Sequence, residues 1–315
     1  MKLHLDKNAF GVIIDEVYND TNVRRDVLEK DYYVTLLLKE LSEKTNQGYA
    51  YFKGGTALYK ALKSIRRFSE DIDLTVYVED CPTPSQAQKR LENASLKYTC
   101  LPRSKTLENK RGSITCEYLY DSMYEIDIYD PLQRFGNVKV EATSFTVSEP
   151  TEKLIIAPYL YEVSNSKNKE ILSKQYGVQP FEIETISLER IFIDKVFAAE
   201  FYYENKSYYD VAKHVYDITI LMEHEKIKRF LSDKLKVQKI IGLKRKEELK
   251  RYGGVSATLK ISNFSYLTEL EGNKDFSKNF ERMQKVYVLD KREVISEDKI
   301  FSTIKQLRDL IDIEW

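Results

Sequence analysis

A run of alternating polar and apolar residues at 71–78 constrains the fold of this chain most, because two aspartates lie inside it. The apolar residues of the run fall on one face of an extended chain, and Asp71 and Asp73 fall together on the other. Their Cα atoms are then roughly 6.5–7 Å apart, so both carboxylates can reach a common metal pair. Mg²⁺, or Mn²⁺ in its place, prefers such oxygen ligands. An isolated Asp-x-Asp, however, is more often the solvated face of an edge strand.

A Gly-Gly-Thr turn upstream of the aspartates favours the metal interpretation. Gly54 and Gly55 follow a short predicted strand at 49–52 and precede a predicted helix at 56–65. The free N–H groups and the positive dipole end of a helix start can hold a phosphate. Thr56 can cap this helix or contact the phosphate. Lys60, one turn further on, can also reach a phosphate or remain a solvated surface lysine. Together with the aspartates, the turn predicts a site for a nucleoside triphosphate (NTP).

A third carboxylate from a neighbouring strand usually completes a two-metal site. Glu141 is the first choice, because alternation in the predicted strand at 138–145 places it on a polar face with Lys139 and Thr143. Asp127, in the predicted strand at 124–129, shows the same pattern. The sequence leaves both residues open as the third ligand.

The periodic segments predict an α+β fold with two domains, residues 1–150 and 151–315. The first domain mixes both patterns, which predicts a mixed sheet with flanking helices. Its further predicted elements are helices at 8–19, 24–44 and 84–96 and a strand at 113–120. The second domain is predicted to be mostly helical, with one strand at 181–185 and a loop-like stretch at 165–170. Its predicted helices are 187–205, 208–225, 238–250, 275–290 and 296–312.

A lysine interrupts the apolar stripe of the predicted helix at 187–205. Lys195 lies in the middle of this stripe, so it must extend to solvent or lie against a carboxylate or phosphate. An unpaired buried ammonium would be costly. Asp217, on the next helix, is a candidate to orient Lys195 or to activate an incoming hydroxyl. Asp210 and Asp217 can equally form a solvated helix edge.

The bulk composition excludes some classes of protein. Fifty basic residues balance fifty acidic ones, so no net cationic field marks a nucleic-acid or membrane partner. No apolar run approaches the roughly 20 residues of a membrane helix. Three cysteines without CxxC spacing, and an opening without a secretory h-region, lead us to expect a cytoplasmic protein with no membrane partner. Motifs of serine hydrolases and zinc proteases are absent from the sequence.

Four stretches together resemble the AbiEii-type nucleotidyltransferases, the toxins of type IV toxin–antitoxin and abortive-infection systems. These stretches are LEKDYYVTLLL, FKGGTALYKAL, RRFSEDIDLTV, and LERIFIDKVFAAEF followed by YYDVAKHVYDI. The resemblance covers roughly residues 27–221. The glycine turn combined with RFSEDIDL is its specific signature.

The resemblance implies a polymerase-β-like nucleotidyltransferase core followed by a helical domain. It implies that Gly54, Gly55 and Thr56 hold the triphosphate and that Asp71 and Asp73 bind metal. Arg67 and Ser69 belong to the same motif and are implied to shape the site. It also implies that Lys195 contacts the nucleotide phosphates and that Asp217 is essential. In this family an aspartate is more frequent where this chain has Glu141.

Three functions compete for these residues. The leading hypothesis is transfer of an NMP from an NTP to an acceptor hydroxyl, in a toxin held in check by a separate antitoxin, often a transcriptional regulator. Relatives suggest an RNA acceptor, a tRNA 3′ end, and a protein acceptor is chemically open. Glycosyltransferases with a DxD motif are the second class, but they usually place a larger βαβ fold before the motif. The third is a catalytically silent nucleotidyltransferase-like module that binds RNA or a partner.

Overall fold

A computed structural model describes residues 1–44, 49–125, 135–144, 149–251, 258–288 and 290–311, with only the backbone at 250–251. The chain divides into two units. The first unit comprises Met1–Val147 and Thr151–Thr185, and the second comprises Ser148–Pro150 and Ile186–Trp315. Among the described residues, no helix is long and apolar enough to cross a membrane.

The described residues of the first unit form a mixed seven-stranded sheet in the order β3-β4-β5-β2-β1-β7-β6. Its strands are β1 (Ala50–Lys53), β2 (Ile72–Val76), β3 (Arg103–Lys110), β4 (Ser113–Leu119), β5 (Asn137–Thr143), β6 (Thr151–Ile156) and β7 (Phe181–Ile186). β2 pairs with β5 in parallel and with β1 in antiparallel orientation. Alternation then places Leu74 and Val140 in the apolar core and leaves a polar face on the other side of the sheet.

In the described part of this unit, six α-helices accompany the sheet. They are α1 (Lys7–Thr21), α2 (Arg25–Glu43), α3 (Gly54–Leu62), α4 (Pro84–Ser95), α5 (Tyr159–Val163) and α6 (Ser166–Tyr176). The predicted inward side of α2 is buried, including Leu28, Tyr32 and Leu36. α3 follows β1 directly, so its first residue comes immediately after the last residue of that strand.

The elements described in the second unit are helical. Its α-helices are α7 (Leu188–Glu204), α8 (Tyr208–Glu223), α9 (Glu225–Ser232), α10 (Lys234–Arg251), α11 (Ser265–Glu269), α12 (Lys274–Tyr287) and α13 (Glu297–Ile311). Ser187 is the N-cap of α7, because its hydroxyl accepts a hydrogen bond from the backbone N–H of Arg190. Val211, Val215 and Ile218 form the apolar side of α8 and are fully buried.

The structure agrees with the predicted α+β class and differs from the prediction in two respects. The stretch at 165–170, predicted as a loop, forms the start of α6, because the Asn165 side chain caps the helix and Leu172 is buried. β6 and β7 belong to the sheet, with the Thr185 hydroxyl donating to the Phe52 carbonyl at 2.7 Å. The change to helical structure therefore comes at residue 186, after the predicted boundary at 150. The predicted strand at 124–129 lies largely outside the described residues.

Candidate functional site

The polar face of the sheet carries the predicted carboxylates on two neighbouring strands. In the parallel β2–β5 pair, Asp73 lies opposite Glu141 and Ile72 lies opposite Val140. Paired residues on adjacent strands are roughly 4.8 Å apart, so the side chains of Asp73 and Glu141 are direct neighbours on one face. Side-by-side carboxylates repel one another and destabilise a sheet unless a cation lies near them. The other candidate for a third ligand, Asp127, lies outside the described residues.

Two glycines bring the start of α3 against the loop and strand that carry the aspartates. Gly54 has φ of +80°, and a Cβ placed on it would lie 2.1 Å from Oδ2 of Asp73. A Cβ on Gly55 would lie 2.6 Å from Oγ of Ser69. The N-cap residue, Lys53, makes no side-chain capping bond to this helix. The carboxylate of Asp73 therefore lies beside a helix start whose first amides no N-cap side chain satisfies.

Thr56 and Ser69 hold the backbone that leads into β2. Since α3 begins two residues earlier than predicted, Thr56 is its third residue and is not the N-cap. The Thr56 hydroxyl is buried, donates to the carbonyl of Asp71 at 2.6 Å and lies 3.0 Å from Oγ of Ser69. Arg67 is also buried and donates to the carbonyl of Phe68 at 3.2 Å. These contacts position the Asp71 backbone relative to α3.

Lys60 is buried, which contradicts the alternative of a solvated surface lysine. Its ammonium donates to Oδ1 of Asp31 at 2.7 Å and to the carbonyl of Ala157 at 3.0 Å. The second oxygen of Asp31 accepts from the backbone N–H of Tyr159 at 2.6 Å. Lys60 thus joins α3, α2 and the start of α5, and it lines a pocket that Thr56 also borders. A contact between Lys60 and phosphate remains a prediction.

Lysines accompany the carboxylates on the polar face, and sequence reasoning assigned no role to them. Nζ of Lys139 lies 3.0 Å from Oδ2 of Asp71, and the two side chains are 37% and 33% exposed. Burial lowers the pKa of Lys139, but the adjacent carboxylates, Asp71 first, outweigh burial and raise the pKa above its ordinary value. Lys53 reaches Thr143, with 3.3 Å between Nζ and Oγ1. The alternation in β5 was the available signal, because it placed Lys139 on the face of Glu141.

A further cation lies near Asp71. Lys30, on α2, is fully buried and donates to the carbonyl of Asn137 at the start of β5. Burial lowers its pKa to about 8, although Glu70 and Asp71 act in the opposite direction. Lys139 and Lys30 therefore both offset the negative charge of Asp71.

The donor chemistry of the polar face suits a hard divalent cation, but the carboxylates are not gathered around one point. In the described part of the chain, no group of three or more His, Cys, Asp or Glu side chains is placed to hold a metal ion. Asp71 contacts Lys139 on the β5 side, whereas Asp73 lies against Gly54 on the other side. The ammonium of Lys139 is thus a cation bound to one of the predicted ligands.

The second unit joins Lys195 and Asp217 in a buried ion pair. Nζ of Lys195 lies 2.8 Å from Oδ2 of Asp217, and the side chains are 9% and 0% exposed. The complete burial of Asp217 rules out a solvated helix edge for this residue. Asp210 is half-buried and pairs with Lys213 at 2.7 Å. Asp217 therefore fixes the ammonium of Lys195, as one sequence interpretation required.

A second buried ion network lies one residue away from Lys195. Arg190 is 1% exposed, and its Nε lies 2.8 Å from Oδ1 of Asp194. The same guanidinium forms an ion pair with Glu247 on α10. This network was not predicted, because each residue taken alone looks like an ordinary charged position on a helix.

Comparison with known proteins gave one result. A family model described as "Nucleotidyl transferase AbiEii toxin, Type IV TA system" matches residues 36–313. The match extends beyond the segment that resembled such proteins by motif, and it includes the helices after residue 221. No curated protein and no solved structure gave a significant match.

Proposed function

We propose, since this chain belongs to the AbiEii family of nucleotidyl transferase toxins of type IV toxin–antitoxin systems, that it transfers an NMP from an NTP to an acceptor hydroxyl. An antitoxin is the partner that such a family implies. The observation that carries the proposal is the contact of the Asp73 carboxylate with the start of α3, beside Asp71 and Glu141. This juxtaposition supports a polymerase-β-like core, in which phosphate and metal sites are adjacent.

The first turn of α3 is the proposed cradle of the triphosphate. Its amides at Gly54, Gly55 and Thr56 point out of a helix start, where the macrodipole favours negative charge. The missing Cβ atoms allow close approach of the phosphate oxygens, just as they allow the approach of Asp73 and Ser69. Ser69 supports the cradle from the loop that precedes β2.

Asp71, Asp73 and Glu141 are the residues that would hold Mg²⁺ or Mn²⁺. When bound there, the metal would neutralise phosphate charge and make the acceptor hydroxyl a better nucleophile. Glu141 is favoured by its position opposite Asp73 in the β2–β5 register. The carboxylates of Asp71 and Asp73 must turn toward each other to share a ligand, so the site is completed by side-chain rotation.

Lys195 is proposed to contact the nucleotide phosphates, as the family resemblance implies, with Asp217 as the residue that orients it. The ion pair holds the ammonium in one place and so limits the entropy lost on contact with a phosphate. Asp217 is fully buried, which suits an orienting carboxylate better than a base that must meet the acceptor.

The proposed acceptor is RNA, with a tRNA 3′ hydroxyl suggested by the resemblance. The acceptor oxygen forms a bond to the α-phosphorus, and the bond between that phosphorus and the α,β-bridging oxygen breaks. Pyrophosphate leaves with the bonding electrons, and the hydroxyl proton passes to solvent. Such a reaction on essential RNA would explain toxicity and a role in abortive infection and phage defence.

The test is to incubate the purified chain with total RNA, Mg²⁺ and each α-³²P-labelled NTP in turn. Two matched variants separate the site from the scaffold: Asp73→Asn, and Glu182→Gln, which alters an exposed ion pair with Lys153 on the same sheet. We expect label in RNA with the wild type and Glu182→Gln, and a loss of at least about a hundredfold with Asp73→Asn.

Three results would contradict all or part of the proposal. Label that persists in Asp73→Asn would exclude this site. Label on protein would move the acceptor from RNA to protein and keep the chemistry. No label from any NTP with a folded chain would favour the silent binding module.

A further inference from the structure

Lys139 has carboxylate side chains on both of its neighbouring strands. In the β4–β5 register it stands opposite Glu117, and on its other side it contacts Asp71. Glu117 has a second cation nearby, with Nζ of Lys105 at 3.7 Å. Lys139 is therefore directed to the β2 side of its strand, where the two aspartates are.

The electrostatic environment of Lys139 is set by the residues proposed to hold metal. Its ammonium lies 3.0 Å from Oδ2 of Asp71, Glu141 is on the same face of β5, and Asp73 lies opposite Glu141. A divalent ion bound by the same three groups would lie a few ångströms from the ammonium, where like charges repel strongly. Both cations cannot occupy this place together at low cost.

The side chain of Lys139 is able to move away from Asp71. Its ammonium ends a flexible four-carbon stem, and the side chain is 37% exposed, so it has a route to solvent. A partly exposed ion pair of this kind is weak enough for a divalent ion to displace. By contrast, Lys60 and Lys195 are held in buried ion pairs.

We propose that Lys139 is a positioning residue. In the absence of metal its ammonium occupies the position that a divalent cation would take, and it holds Asp71 apart from Asp73 until such an ion displaces it. This inference rests on the proposed function, because it takes Asp71, Asp73 and Glu141 as the metal ligands. It assigns two roles to one lysine: it offsets carboxylate repulsion in the empty site, and it weakens binding of the free metal ion.

The test measures Mn²⁺ affinity of the full chain by calorimetry or electron paramagnetic resonance, without nucleotide turnover. Lys139→Met removes the competing charge, and Lys139→Gln removes it while keeping a hydrogen-bond donor. Lys153→Met is the matched control, since it breaks an exposed ion pair elsewhere in the same sheet. We expect both Lys139 variants to bind Mn²⁺ about threefold to tenfold more tightly than the wild type. The control should bind Mn²⁺ with the wild-type affinity. Asp73→Asn should weaken binding in every background.

A second readout is thermal unfolding in EDTA and in Mn²⁺. In EDTA both Lys139 variants should melt below the wild type, because Asp71 has then lost the ammonium that lies 3.0 Å from its Oδ2. Mn²⁺ should raise the melting temperature of these variants more than that of the wild type. A purely structural loss would lower it equally in both conditions.

The outcomes distinguish failure of this inference from failure of the proposed function. Equal Mn²⁺ affinity in the wild type and both Lys139 variants would overturn the competition and leave the metal site standing. Unchanged Mn²⁺ affinity with weaker NTP binding would instead make Lys139 a phosphate contact. Absence of Asp73-dependent Mn²⁺ binding in every chain would overturn both proposals.

Discussion

The buried pair of Lys195 and Asp217 allows a sharp prediction about stability and function together. Asp217→Ala leaves the ammonium of Lys195, which is only 9% exposed, without its carboxylate 2.8 Å away. Removing one partner of a buried ion pair typically costs about 3–5 kcal/mol, because the remaining charge has lost both water and its counter-charge. Since both side chains are far less than one-third exposed, we expect Asp217→Ala to lower the free energy of unfolding by an amount in this range.

Urea unfolding at neutral pH, followed by circular dichroism, measures this loss. The double variant Lys195→Met/Asp217→Ala removes both charges and should recover most of the stability that Asp217→Ala loses. Glu247→Ala is the matched control: it breaks the buried pair with Arg190 in the same unit and should also destabilise.

Transfer activity, measured where each variant is folded, then separates the roles of the two pairs. We expect Glu247→Ala to retain transfer and the double variant to lack it, because Lys195 is proposed to contact phosphate. A cost below about 1 kcal/mol for Asp217→Ala would refute the burial argument. Transfer by the double variant would reduce the pair to a structural role.

Two glycines and one buried lysine give further tests. Gly54→Ala should lower the free energy of unfolding by about 1–3 kcal/mol and abolish transfer, because φ is +80° and the new Cβ would displace Asp73; wild-type urea curves and activity would contradict this. Gly242→Ala, in α10, places its Cβ in open space, so it should stabilise by about 0.5–1 kcal/mol without changing transfer. The folded pKa of Lys30 is lowered from 10.5 to about 8. The stability that its neutral form contributes is therefore fully present above pH 10.5 and is lost as the pH falls through 8. Wild-type stability minus that of Lys30→Met should therefore rise with pH over this window, by at most about 1.4 kcal/mol per pH unit; parallel curves would contradict the shift.

The strands and helices that carry the site were predictable because their polarity alternates with the period of the element. β2 and β5 each have one apolar and one polar face, which placed Asp73 and Glu141 correctly on the polar side. The glycine turn was predictable for a similar reason, since a strand, two glycines and a helix follow in order. These signals are local, and local structure follows them closely here.

Segments whose own sequence has no clear alternation or apolar stripe were not predictable. β3, with the sequence RSKTLENK, is exposed along nearly its whole length and exists as a strand through its pairing with β4. α6 has a polar sequence, and a single cap and one buried leucine define it. In both cases the tertiary context outweighs the local pattern.

The pairing of charges was the least predictable part of the site. Alternation places Lys139 on the face of Asp71, but the choice between solvent and carboxylate depends on the register of two strands distant in sequence. The same holds for Lys60, whose partner Asp31 lies 29 residues earlier on α2. A sequence lists the charges, whereas the fold decides which of them meet.

A crystal of the chain with Mn²⁺ and a non-hydrolysable NTP analogue would show where this protein binds nucleotide and metal. We expect anomalous scattering from Mn²⁺ at direct coordination distance from Asp71 and Asp73, with the triphosphate on the first-turn amides of α3. We further expect that Nζ of Lys139 no longer contacts Asp71. Mn²⁺ or triphosphate bound away from α3 and β2 would contradict the central claim.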